Sequence, residues 1–184
     1  AVEKIDIIAA LAKCTGRPVD LIDLNGVAEP LLGQILRHGR RLLGQLGYGY
    51  DGSVFATDEQ SAIKVLRFER LYIKERSVYE RLLSLEVTDV YGFAVPQLIH
   101  ADDQLWVVEI GIVSPPFVLD FAGAYLGQRP DYPDDVMEEW QAEKLEQFGE
   151  ERWDVVQMIM AHFARMGIFL ADVKPGNIMF KETD

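Results

Sequence analysis

A lysine in the middle of an apolar strand constrains this chain more than any other single feature. Ser61-Ala62-Ile63-Lys64-Val65-Leu66 reads as a strand, and Lys64 has apolar neighbours on both sides. Burying an ammonium without a partner costs several kcal/mol, so Lys64 either snorkels to the surface or meets an anion inside the fold. Glu75, on the helical segment that follows, supplies one candidate. The phosphates of a nucleotide would supply another.

The residues before this strand point the same way. Gly47-Tyr48-Gly49-Tyr50-Asp51-Gly52-Ser53-Val54 is a glycine-rich turn. Such a turn lets backbone N–H groups approach phosphate oxygens. It leads into a strand rather than a helix, which disfavours a dinucleotide-binding turn and leaves a plain glycine-rich hairpin as the alternative. Far downstream, Asp172-Val173-Lys174-Pro175-Gly176-Asn177 is a polar, proline-containing loop. A carboxylate there can accept a hydroxyl proton, an Asn carbonyl can ligate Mg²⁺, and Lys174 can neutralise a phosphoryl group. A loop of this composition is, on its own, also a simple turn.

Around these motifs the pattern is strand, turn, strand, turn, strand: Leu42 to Leu46, Ser53 to Ala56, and Ser61 to Leu66. A helix is expected over about Phe68 to Leu85, with Leu71, Val78, Leu82 and Leu85 on its apolar face. Leu98 to His100 and Leu105 to Val113 read as two strands joined by 101–104, and Pro115-Pro116 halts the second. From Phe117 the reading is mostly helical, with breaks at Pro130, Pro133 and Gly149. An amphipathic helix runs over about Glu151 to Met166 and stops at Gly167. A strand-like piece, the polar loop and an edge strand at Ile178 to Phe180 follow, the last expected to be unpaired. The class is α+β with segregated layers.

Taken together, the four motifs resemble the eukaryotic-type protein kinase family over about residues 43–180. The glycine pattern is met by Gly47, Gly49, Gly52 and Val54, the strand lysine pattern by Ala62-Ile63-Lys64, and the αC glutamate by Glu75 rather than Glu80. The catalytic loop is met by Asp172, Lys174, Pro175 and Asn177. The resemblance implies an antiparallel N-lobe sheet with one αC helix and a truncated, mostly helical C-lobe. It implies ATP and Mg²⁺ as cofactors, with Lys64 on the α/β-phosphates, Glu75 orienting Lys64, Asp172 as catalytic base and Asn177 as metal ligand. Glu109, in the strand Leu105 to Val108 and beyond, falls where that family's strand leads to the adenine hinge.

Leu170 and Ala171 replace the family's His-Arg, and no Asp-Phe-Gly follows Asn177. The corresponding expectation is a degenerate or truncated kinase, or a pseudokinase, with weak or no phosphoryl transfer. Residues 1–42 form a separate piece. Thr15 to Leu24 and Leu31 to Leu42 resemble the second half of minimal nucleotidyltransferases of the antitoxin type, with Asp20 at the position of a metal carboxylate. That resemblance implies, as an alternative function, an antitoxin-like protein that binds a partner toxin.

Charge bounds the partners. The net charge is −12, yet residues 1–42 carry +1, and ten acidic residues lie between Asp131 and Asp154 against Lys144 and Arg152. Such a surface repels nucleic acid. It reads as a solvated helix face, with a docking face for a basic protein as the alternative. A single cysteine, Cys14, fits a reducing, cytoplasmic setting, and no apolar run is long enough to span a bilayer.

Overall fold

The computed structural model describes residues 42–119, 121 and 123–182. The piece that resembles a nucleotidyltransferase, including Asp20, lies outside them, as does Asp184.

The first layer is a five-stranded antiparallel sheet in the order β1-β2-β3-β7-β6. Its members are β1 (Leu42–Tyr48), β2 (Gly52–Thr57), β3 (Ser61–Leu66), β6 (Leu98–Asp102) and β7 (Val107–Gly111). Gly52 is required by this sheet. A Cβ there would sit 2.0 Å from the carbonyl oxygen of Val65, a clash with backbone that cannot move aside. The turn between β6 and β7 falls at 103–106 rather than the expected 101–104. Asp102 Oδ1 accepts the N–H groups of Gln104 and Leu105 at 2.8 and 2.7 Å, which holds the turn two residues later.

Helix α1 (Glu69–Ser84) crosses the sheet. Its buried stripe is Tyr72, Glu75, Val78, Tyr79 and Leu82; of the apolar face expected from spacing, Val78 and Leu82 are buried, Leu71 is half-buried and Leu85 is exposed. A glutamate inside that stripe is tolerable because Lys64 waits beneath it.

Between α1 and β6 lie two short strands that the sequence pattern did not mark, β4 (Asp89–Val90) and β5 (Phe93–Ala94). The stretch from Phe117, expected to be mostly helical, also contains β8 (Phe117–Val118) and β9 (Tyr125–Leu126). β9 pairs with β10 (Ile168–Phe169). β8 pairs with β11 (Ile178–Met179) and, in parallel, with β5. The segment at Ile178 is therefore not an unpaired edge: Val118 and Phe117 sit opposite Ile178 and Met179. Strands of two residues are decided by such distant partners, and no local periodicity announces them.

Helices α2 (Asp134–Phe148) and α3 (Glu150–Arg165) complete the second layer. Gly149 joins them at φ 76°, a conformation that favours glycine. Trp153 stacks on Phe148 and meets Trp140 edge-on. All ten acidic residues of 131–154 are exposed. No helix among the described residues is long and apolar enough to cross a membrane.

The whole is the expected α+β layout: an antiparallel sheet with one crossing helix, followed by a mostly helical half. An aromatic ladder ties the two halves. Tyr79 of α1 packs edge-on to Phe121 at 5.3 Å, and Phe121 packs on Phe163 of α3 at 5.6 Å. Phe121 is fully buried. Phe121→Ala is therefore expected to lower unfolding stability by about 3–5 kcal/mol in a urea titration. A loss under about 1 kcal/mol would mean that the ladder does not join the halves.

Candidate nucleotide site

Strand alternation sets the site. The register pairs Val54 with Lys64, Lys64 with Val108, and Ala62 with Ile110. These residues share one face of the sheet, so the sheet's lysine emerges among small and branched apolar side chains. A cavity of about 450 Å³ opens against that face. Leu46, Gly47, Val54 and Ala62 form its roof, Ile110 to Val113 its back, and Phe117, Leu119 and Asn177 its floor. The volume falls within the range of ligand pockets, and the lining is apolar with a few convergent polar groups.

Lys64 Nζ lies 2.9 Å from Glu75 Oε1, deep at the inner end. Lys64 is 9% exposed and Glu75 fully buried. Glu80, the alternative one turn along, pairs instead with Arg76 at the surface, at 3.2 Å.

The polar loop closes the floor. Val173 and Ile178 are buried anchors, so Asp172 and Lys174 between and beside them face outward. Lys174 C=O accepts the N–H groups of Asn177 and Ile178 at 2.9 and 3.0 Å, a turn in which Pro175 pre-sets the backbone. Asn177 C=O accepts the Leu119 N–H at 2.7 Å, which fixes the loop to the end of β8. The Asn177 amide donates to Asp172 O and Oδ2 at 2.8 and 2.9 Å. Both its donors are thus engaged by Asp172, and its Oδ1 is left as an acceptor at the cavity wall. Lys174 Nζ sits 2.6 Å from Asp172 Oδ2. Both partners are about half exposed, so this pair adds little to stability.

The structure thus gathers Gly47, Val54, Ala62, Lys64, Glu75 and Asn177 around one cavity, with Asp172 and Lys174 bonded to its floor. Glu109 does not line it. Being one residue out of phase with Val108 and Ile110, it lies on the opposite face, where Ser61 Oγ donates to it at 2.6 Å and Thr57 Oγ1 lies 2.6 Å from Ser61. Gly49 and Gly52 are also away from the lining. Gly49 N–H bonds to Gly52 C=O to close the hairpin, and Gly52 serves the packing against β3. Among the described residues no group of three acidic, histidine or cysteine side chains could hold a metal ion by itself. A cation here would take the Asn177 carbonyl oxygen.

Sequence reasoning missed the residues that hold α1 in place. Tyr72 Oη donates to Asp103 Oδ1 at 2.7 Å, and Arg76 pairs with the same oxygen. Burial and the bond to Asp103 push the Tyr72 hydroxyl above its ordinary range. The Tyr72 hydrogen bond, with Arg76, holds the Asp103 carboxyl below its ordinary range. These contacts flank Glu75 on one side. No local signal links Asp103 to a helix thirty residues earlier.

Two predictions follow from this geometry. Glu75→Ala, which takes the carboxylate from a buried lysine, should cost about 3–5 kcal/mol in chemical denaturation. Glu80→Ala, at an exposed pair, should cost under about 1 kcal/mol; equal losses would contradict the assignment. A lowered carboxyl stabilises the folded state above its unfolded pKa, and that contribution is lost as pH falls through the folded value. The acid limb of the stability profile should accordingly be shallower in Asp103→Asn than in the wild type, and superimposable profiles would refute the clasp.

No family model matches the sequence, and no curated protein matches it. Solved structures with similar folds include an ADP-bound aminoglycoside phosphotransferase, APH(2'')-Ib, with 20% identity over 47% of this chain and 28% of that one, at a TM-score of 0.37. They also include APH(2'')-IIa in a ternary complex with streptomycin and ATP, with 17% identity over 71% and 39% of the two chains (TM-score 0.36). The gentamicin complex of APH(2'')-IIa matches with 15% identity over 84% and 42% (TM-score 0.36). The chain therefore spans less than half the length of each of these structures.

Proposed function

We propose that this chain binds ATP with Mg²⁺ in the cavity under the glycine turn, as a kinase-like phosphotransferase domain. The observation that carries this reading is the buried Lys64–Glu75 pair at the inner end of an apolar, nucleotide-sized cavity. A purely structural ion pair has no need of a cavity in front of it, and well-packed apolar residues would be at least as stabilising there.

In this reading the base lies between Val54, Ala62 and Ile110, and its edge meets the 111–113 backbone. Lys64, held in place by Glu75, receives the α/β-phosphates. Asn177 Oδ1 would hold a metal ion, which would neutralise phosphate charge. Asp172 then takes the proton of an acceptor hydroxyl, with Lys174 beside it to offset charge on the transferring group. A second cavity, of about 1260 Å³, runs along α3 and reaches Leu170 and Ala171, next to Asp172, and is where the acceptor would enter. Binding is the property that the geometry supports most directly.

ATP should raise the melting temperature of the full chain, by the equivalent of about 2.7 kcal/mol at a hundredfold excess over Kd. Lys64→Met should remove most of that shift. No shift in the wild type at millimolar ATP would sink the nucleotide reading while leaving the fold intact.

A further inference from the structure

Residue 74, one step before the glutamate that holds Lys64, faces the other half of the molecule. Lys74 Nζ donates to the Gly123 carbonyl at 3.2 Å and lies 3.9 Å from the centre of the Tyr125 ring. Lys74 and Gly123 are half-buried, so their contact is screened less than a surface pair, while the Tyr125 ring is more exposed. A cation over an aromatic face at that distance is well placed to be attracted.

What Lys74 grips is the support of the Asp172 loop. Gly123 packs against Asp172 so closely that an added Cβ would stand 3.2 Å from Asp172 Cβ and 3.4 Å from its backbone nitrogen. Gly123 lies in a tight turn closed by the Ala124 N–H on the Phe121 carbonyl, at 2.9 Å. Tyr125 follows directly and pairs with Phe169, three residues before Asp172. The helix thus carries two adjacent functional contacts: Glu75 to the phosphate-binding lysine, and Lys74 to the turn on which Asp172 rests.

We propose that Lys74 is a positioning residue, which sets the Asp172 loop relative to the Lys64–Glu75 pair through the Gly123 carbonyl and the Tyr125 ring. The inference rests on the nucleotide reading for its catalytic consequence, but its structural core does not. Lys74 touches neither nucleotide nor acceptor. Its ammonium fixes the distance between the group that holds phosphate and the group that takes the proton. A turn adjoining a reacting carboxylate needs such a tie, because small misplacements of reacting groups are costly in rate.

The test uses the full chain and the variants Lys74→Met, which keeps the stem but not the ammonium, and Lys74→Arg, which can donate to the same carbonyl and stack on the same ring. Hydrogen exchange is followed in peptides covering 172–178, where the Asn177 and Ile178 amides report, and 61–66. Without nucleotide, Lys74→Met should exchange on the order of tenfold faster in 172–178 and unchanged in 61–66, with Lys74→Arg close to wild type. Unchanged exchange in 172–178, equal acceleration in both segments, or failure of Lys74→Arg to restore protection would each overturn the proposal. Hydrolysis of MgATP provides the second arm. In Lys74→Met, kcat should fall on the order of tenfold while KM for ATP stays within about twofold; a loss carried by KM would overturn it. A wild-type chain that binds no ATP would remove the nucleotide reading; in that case, or where ATP binds without turnover, the exchange arm alone decides.

Discussion

The buried ion pair between Lys64 and Glu75 is the constraint on which the rest of the described structure depends. An ammonium in the third strand of an antiparallel sheet is tolerable only with an anion at hydrogen-bond distance. The nearest place to bring one from is the following helix. That requirement fixes how α1 crosses the sheet, which stripe it buries, and why Glu75 sits among Tyr72, Val78, Tyr79 and Leu82. The side chains of Val54, Ala62 and Ile110 then wall a cavity rather than a filled core, because the lysine at its inner end cannot be covered by apolar groups alone.

Helix α1 is held from three directions. The Asp103 clasp on Tyr72 and Arg76 ties it to the β6–β7 turn. The Tyr79–Phe121–Phe163 ladder ties it to α3. Arg81 Nε donates to the Met166 carbonyl at 3.2 Å, beyond the far end of α3. A helix held in this way keeps Glu75 aimed at Lys64.

Much of this was legible in the sequence because the informative residues break local rules. A lysine between apolar strand neighbours, three glycines in a turn and an Asp-x-Lys-Pro-x-Asn loop each stand out from their surroundings. They located β1 to β3 and α1 to within a few residues. Glu109 was misplaced for a plain reason: alternation in β7 was not carried through, and one residue of phase moves a side chain to the opposite face. Leu85 was assigned to the buried face of α1 because leucine spacing was counted and the role of Glu75 was not. The two-residue strands at Asp89, Phe93, Phe117 and Tyr125 exist only through partners far away in sequence. Lys74 and Asp103 look like ordinary surface charges until the fold brings Gly123 and Tyr72 to them.

The account stands or falls on whether the cavity in front of Lys64 takes up a nucleotide. Equilibrium dialysis of the full chain against labelled ATP, with and without Mg²⁺, measures this directly. Saturation at one ATP per chain, tighter with the metal ion than without it, is the predicted result. Uptake that does not saturate, or none at millimolar ATP, would contradict the account and leave the Lys64–Glu75 pair as a structural element alone.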